Sequence, residues 1–187
     1  MKVRIAVTAT LLTCFGLAAQ AFALNPQDLE QLKATSSCSR CDLTDADLTQ
    51  INLSRANLRD ANLKGANLSG ANLTNADFTG ANLEGAVLNS ANLSGASFTG
   101  ANLKSASLEG ANLSFAGFMS ANLEAANIKN AKLQFTNFRG ANFRLTTMPT
   151  GAVTSDKPYW WSLQRESSKD CNKFKYESAS GTTCYTQ

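Results

Sequence analysis

The sequence predicts an all-β solenoid, a chain wound into a square coil around a solid core. Three observations predict it. From Leu43 to Phe143 every fifth residue is Leu, Phe or Ile without a miss. Phe78, Phe98, Phe118 and Phe138 stand twenty residues apart, and so do Lys64, Glu84, Lys104, Glu124 and Arg144, whose charges alternate in sign.

The five-residue period excludes both flat alternatives. An α-helix turns about 100° per residue, so residues five apart are rotated by roughly 140° and form no stripe. In a flat strand, residues five apart face opposite ways, and the leucines would alternate between core and water. A corner in every unit keeps them all inward. Four corners of about 90° close a coil of twenty residues, with neighbouring coils about 4.8 Å apart and paired as in a sheet. The Phe and charge columns support that twenty-residue turn independently of the shorter period. Opposite charges on adjacent coils attract modestly, because such groups are exposed.

Each unit also has a fixed chemistry around its core residue. Two places earlier stands Ala, with Cys41, Ile51 and Thr136 as departures; between them stands Asn or Asp, with Val87, Ser97, Ser107, Gly117 and Lys132 as departures. This A-N-L-x-x pattern, in register for 21 units over residues 41–145, resembles the pentapeptide-repeat family. The resemblance implies a right-handed quadrilateral β-helix, the handedness coming from the likeness alone. No unit can stand alone: burying one Leu or Phe contributes roughly 1.5–3 kcal/mol, whereas ordering five backbone residues costs on the order of 5–10 kcal/mol. Contacts between coils must make up the difference, and the end coils need covers.

Residues 1–23 read as a secretory signal peptide. Lys2 and Arg4 precede an apolar run from Ile5 to Ala19, and Ala21-Phe22-Ala23 gives a small-x-small site with cleavage after Ala23. The run is short of the roughly 20 residues of a membrane span. Leu11-Leu12-Thr13-Cys14 is a poor lipoprotein box, since Thr13 fits badly and apolar residues continue beyond it. Removing Lys2 and Arg4 from 17 basic residues leaves 15 against 14 acidic ones, a net +1 with no His. No stable membrane span is expected in the mature form.

Residues 24–40 are expected to form a short capping helix and a lead-in loop. Asn25 is a candidate N-cap, Pro26 suits the first helical place, and Leu29 and Leu32 share one side. The segment, with L-x-x-L before C-x-x-C-D-L, resembles the lead-in of exported cyanobacterial pentapeptide-repeat proteins. That likeness implies the thylakoid lumen or periplasm; the extracellular space is the alternative. Cys38 and Cys41 have the C-x-x-C spacing, but Cys41 fills an inward repeat place, so a packed thiol or local disulfide is expected over a redox dithiol. A metal centre lacks a second close pair of ligands.

On the outer surface, Phe115 and Phe135 are twenty apart and are expected to stack on one exposed corner, with Met119 and Leu145 as possible neighbours. Either a partner binds there, or the chain's own tail folds back over it. The columns through Asn62, Asn82, Asn102, Asn122 and Asn142 read as amide ladders. The period stops at Leu145, and Met148-Pro149-Thr150-Gly151 reads as an exit turn. Residues 146–187 form a C-terminal cap or tail holding both Trp and all three Tyr. Tyr159, Trp160 and Trp161 are expected to anchor it on the last coil, with a carbohydrate or protein contact as the alternative. Cys171 and Cys184 are expected to pair, as are Cys38 and Cys41, because crossed pairs would have to span a stack about 25 Å tall.

Functionally, the sequence points to a non-enzymatic, exported interaction scaffold with an unidentified protein partner. No catalytic residue, cofactor, metal or nucleic acid is expected. The resemblance also implies an alternative, since quinolone-resistance members of the family inhibit a DNA-binding enzyme by mimicking DNA. Those act in the cytoplasm with acidic faces, which the signal peptide and near-neutral charge disfavour.

Overall fold

The computed structural model describes residues 25–154, and the structure is a square β-coil entered through one helix. Helix α1 spans Pro26–Thr35. The Asn25 side chain accepts the Gln27 N–H at 3.1 Å, and Ser36 ends the helix in the left-handed region at φ 54°. Leu32 on α1 is fully buried in the main core and Leu29 packs against it. Asp28 reaches across to accept the Asp42 N–H at 2.8 Å, tying α1 to the first coil.

Each unit builds one wall and one corner. The corner is a turn in which the Ala N–H of one unit bonds the Leu carbonyl of the unit before, as Ala46 bonds Leu43 at 3.1 Å. Its third residue carries a positive φ at every unit, from Arg40 at 62° to Leu145 at 57°. That conformation is nearly free only for Gly, and Gly fills it at Gly65, Gly85 and Gly100 among others. On the wall, the Asn N–H bonds the Ala carbonyl of the preceding coil and the Leu N–H bonds the Asn carbonyl of the next. Asn82 to Ala61 at 2.9 Å and Leu83 to Asn102 at 2.7 Å are examples. Parallel bridges join residues twenty apart throughout, from Ser37 with Asn57 to Asn127 with Thr147. A wall of three residues supplies a single bridge and is too short to be a strand.

These bonds leave the N–H of the second corner residue without a backbone acceptor, and the wall's Asn or Asp supplies one. Asn122 Oδ1 accepts the Glu124 N–H at 3.1 Å, and the same bond recurs at Asp47 with Thr49 and at Asn142 with Arg144. The preference for Asn and Asp is therefore a demand of the turn. Where Ser107 replaces Asn, Asn89 of the preceding coil accepts the Glu109 N–H instead, at 3.1 Å.

Inside, the core-place residues, every fifth one from Leu43 to Ile128, are all buried. Phe78, Phe98 and Phe118 stack with ring centroids 4.9 and 4.7 Å apart, and Phe138 continues the column at 5.0 Å. The expected twenty-residue turn is thus the observed one.

The coil runs one unit further at each end than the 41–145 pattern read from the side chains. Cys38 occupies the core place before Leu43, with Ser37 bridged to Asn57; Thr146 is buried at the Ala place, with Thr147 bridged to Asn127. Met148 closes a last wall and opens the expected exit turn, in which the Gly151 N–H bonds the Met148 carbonyl at 2.8 Å; the chain then reverses, and Val153 pairs antiparallel with Thr147. The signal peptide with Ala23, and most of the 146–187 tail, lie outside the described residues.

Core and corner differ in what a substitution costs. Phe98→Ala should lower stability by about 3–5 kcal/mol. Asn102→Ala, which strips the acceptor of the Lys104 N–H and two amide rungs, should cost about 1–3 kcal/mol. Gly85→Ala, where a Cβ meets nothing within 4 Å but φ is 67°, should cost about 1–2 kcal/mol. Urea denaturation of the three variants checks that order.

Candidate functional site

Phe115 and Phe135 stand at the third corner place, the one that elsewhere favours Gly, Ser or Asn. Both hold a positive φ, 61° and 55°. For a bulky aromatic this is strained by about 1–2 kcal/mol. They are 60% and 50% exposed, and their rings stack at 5.3 Å. Burial of the rings in the core does not compensate for that strain; the conformation itself is shared by every corner, Arg55, Ala125 and Leu145 included.

A second device holds the corner. Thr136, directly after Phe135, donates its hydroxyl to the Leu113 carbonyl at 2.8 Å, and Leu113 opens the turn that carries Phe115. The hydroxyl therefore ties the two Phe-bearing corners together. Thr146, directly after Leu145, makes the same bond to the Leu123 carbonyl at 2.6 Å. The sequence marked Thr136 only as a departure from Ala; a Thr following a bulky corner residue was the available signal.

The other candidates separate around the square. Met119, 41% exposed, lies on the next corner, across a wall whose outward residue is Gly117. That wall presents no side chain in the coil of Phe115 and Phe118, so a flat strip runs between the two corners. Leu145 is ten residues on from Phe135, two corners round, and occupies the diagonally opposite edge. It is no neighbour of the Phe pair. Tyr159, Trp160, Trp161, Cys171 and Cys184 lie outside the described residues.

Cys38 and Cys41 form a disulfide with Cα atoms 5.3 Å apart. It spans the corner between a Leu place and an Ala place, and both sulfurs are sealed into the first coil. Among the described residues no group of three or more His, Cys, Asp or Glu stands together to hold a metal ion. No described helix is long and apolar enough to cross a membrane.

The charged column pairs across coils. Lys64 meets Glu84 at 3.2 Å, and Glu124 is held between Lys104 at 3.4 Å and Arg144. Hydrogen bonding from Arg144 holds the Glu124 carboxyl below its ordinary range, against the opposing effect of burial and with help from Lys104. The Thr44 hydroxyl and N–H do the same for Asp42, and the Thr49 N–H and hydroxyl for Asp47. At Asp77, burial pushes upward, but the Thr79 bonds and Arg59 outweigh it and the net shift is downward.

A family model described as pentapeptide repeats matches this chain in eight copies over residues 36–75, 76–114 and 106–144. The chain belongs to the pentapeptide-repeat family. Among solved structures, this pentapeptide-repeat protein is similar to Rfr23, a pentapeptide repeat protein of the cyanobacterium Cyanothece 51142. The two are 27% identical with a TM-score of 0.61, over 66% of this chain and 95% of that one. That likeness makes the coil a right-handed quadrilateral β-helix. A pentapeptide repeat protein of the Arabidopsis thaliana thylakoid lumen is 30% identical over 59% of this chain and 70% of that one, with a TM-score of 0.36. QnrB1, a plasmid-mediated fluoroquinolone resistance protein, is 25% identical over 59% and 61%, with a TM-score of 0.48. Among curated proteins no significant match was found.

The lowered carboxyls of Asp42, Asp47, Asp77 and Glu124 make stability depend on pH in the acid range. Each has a folded pKa below its unfolded one, so its contribution is present above the unfolded value and is lost as pH falls through the folded one. With no His in the chain, stability should be flat between about pH 5 and 8 and fall below about pH 4. Thermal melting across that range checks it.

Proposed function

We propose that this pentapeptide-repeat protein is a non-enzymatic scaffold of an exported compartment, meeting a protein partner through the Phe115–Phe135 corner. The observation that carries the reading is the strained, exposed and stacked Phe pair, held by Thr136 beside the strip at Gly117. Two aromatic rings clasped in a conformation that disfavours them are anchors of the kind that dominate protein interfaces. Proteins of this family are generally structural or interaction proteins.

The scaffold reading also rests on how the interior is used. Ala, Leu and Phe fill the column from wall to wall, which leaves chemistry to the outside. There the charged column carries both signs: Lys64–Glu84 and Lys104–Glu124–Arg144 pair along it and leave a net +1, not an acidic face. Mimicry of DNA would need one continuous acidic face. Helix α1, with Leu32 in the core, serves as the N-terminal cover of the scaffold. Export is supported by the Lys2–Ala23 segment and agrees with the Cys38–Cys41 disulfide, a bond of oxidising compartments.

The test uses the chain without residues 1–23 as bait on the exported fraction of the source cells. Wild type should capture a defined partner, and the variant carrying Phe115→Ser and Phe135→Ser should lose at least about tenfold in affinity while melting no lower. Equal capture by both chains sinks the assignment of the corner. Recovery of the uncleaved chain from the cytoplasm sinks the assignment of compartment.

A further inference from the structure

The two ends of the column are finished differently. At the N-terminal end, Leu32 of α1 lies in the core and the first-coil residues Leu43, Leu48, Leu53 and Leu58 are sealed. At the C-terminal end, Leu133, Phe138, Phe143 and Met148 are only half-buried, although the same places one coil earlier are fully buried. These four side chains come one from each wall, so together they make an apolar floor across the end of the square. The Phe column ends in this floor at Phe138, with the Phe143 ring edge-on to it at 5.1 Å.

The chain leaves the coil at the rim of that floor. Val153 pairs with Thr147, and the Thr154 N–H bonds the Thr146 carbonyl at 2.9 Å, while the Thr154 hydroxyl donates to the Phe143 carbonyl. The onward segment begins with Ser155 and reaches Trp160 and Trp161 within seven residues. At about 3.3–3.6 Å per residue, that length spans up to roughly 25 Å. Opposite walls, like stacked sheets, lie about 10 Å apart. The indoles can therefore reach any point on the floor. The Phe115–Phe135 corner is a less direct destination, since it lies diagonally across from the Leu145 corner, beside which the returning Thr154 is held at Thr146.

We propose that the segment from Ser155 onward folds across the C-terminal end of the column and seats Trp160 and Trp161 on the floor of Leu133, Phe138, Phe143 and Met148. The occupant is the chain itself. Flat aromatic rings suit a floor in which the next layer of a ring column is due, and the segment is tethered at the rim, so its effective concentration there is high. The cover stops a second column from stacking end to end through the same floor and leaves the Phe115–Phe135 corner as the open apolar surface. This inference does not depend on the partner proposed above.

Both tryptophans of the chain lie in this segment, so intrinsic Trp fluorescence reports on it without background. In the folded full-length chain, emission should be blue-shifted from its value in urea and protected from acrylamide. Met148→Lys should move both readings toward the urea values, whereas Phe115→Ser should leave them in place. Circular dichroism matching wild type would show that Met148→Lys still folds. Two results overturn the proposal. One is solvent-like emission in the folded wild-type monomer. The other is protection lost on dilution as the mass by light scattering halves, which would give the floor to a second copy.

Discussion

The backbone of a five-residue unit offers one N–H more than the coil's own carbonyls accept. The turn takes the Ala N–H, and neighbouring coils take those of the Asn, the Leu and the third corner residue. The second corner residue is left over, and a short side-chain carbonyl two places back answers it, as Asn112 does for Ser114. Where the wall carries Val87 or Gly117 no side-chain carbonyl is there to answer it, so the bond is a preference of the turn and not a condition of every unit. The repeat is thus a solution to hydrogen-bond accounting as much as to hydrophobic burial, and its tight spacing comes from the side chain's short reach.

Packing sets the other half of the unit. A square column this narrow has room for one large residue per wall, so the place beside the corner must be small. Ala fills it almost throughout. The exceptions fall near the ends or serve a purpose: Ile51 lies in the first coil, Cys41 is bonded to Cys38, and Thr136 and Thr146 each bond a carbonyl of the coil before. Because all contacts run to the next coil, strength is local and the two ends set the limits of the fold.

The five-residue period was enough to name the architecture, because no other backbone keeps Leu43 through Phe143 on one side, and the Phe column fixed the length of a turn. The helix was readable from Asn25 and Pro26. Less legible were the outermost units, since Cys38 and Met148 sit in register but do not resemble Leu, and an end coil with one neighbour tolerates such residues. The site was half legible. Spacing paired Phe115 with Phe135, but it did not reveal that Leu145 stands two corners away, because proximity in sequence misleads on a square path. The bond from Thr136 was invisible for another reason: a hydroxyl at an Ala place reads as decay until the carbonyl of Leu113 is seen within its reach.

The amide ladder gives the column a polarity. On one wall Asn62, Asn82, Asn102, Asn122 and Asn142 each point Nδ2 toward the coil before, and the series ends on the Asp42 carboxylate. Backbone bonds on the same wall run both ways and largely cancel. The side-chain dipoles do not cancel; they add head to tail, positive toward Asp42 and negative toward Asn142, beside Arg144. A carboxylate at one pole and a guanidinium near the other complement that field, so the wall behaves electrically like a helix laid on its side.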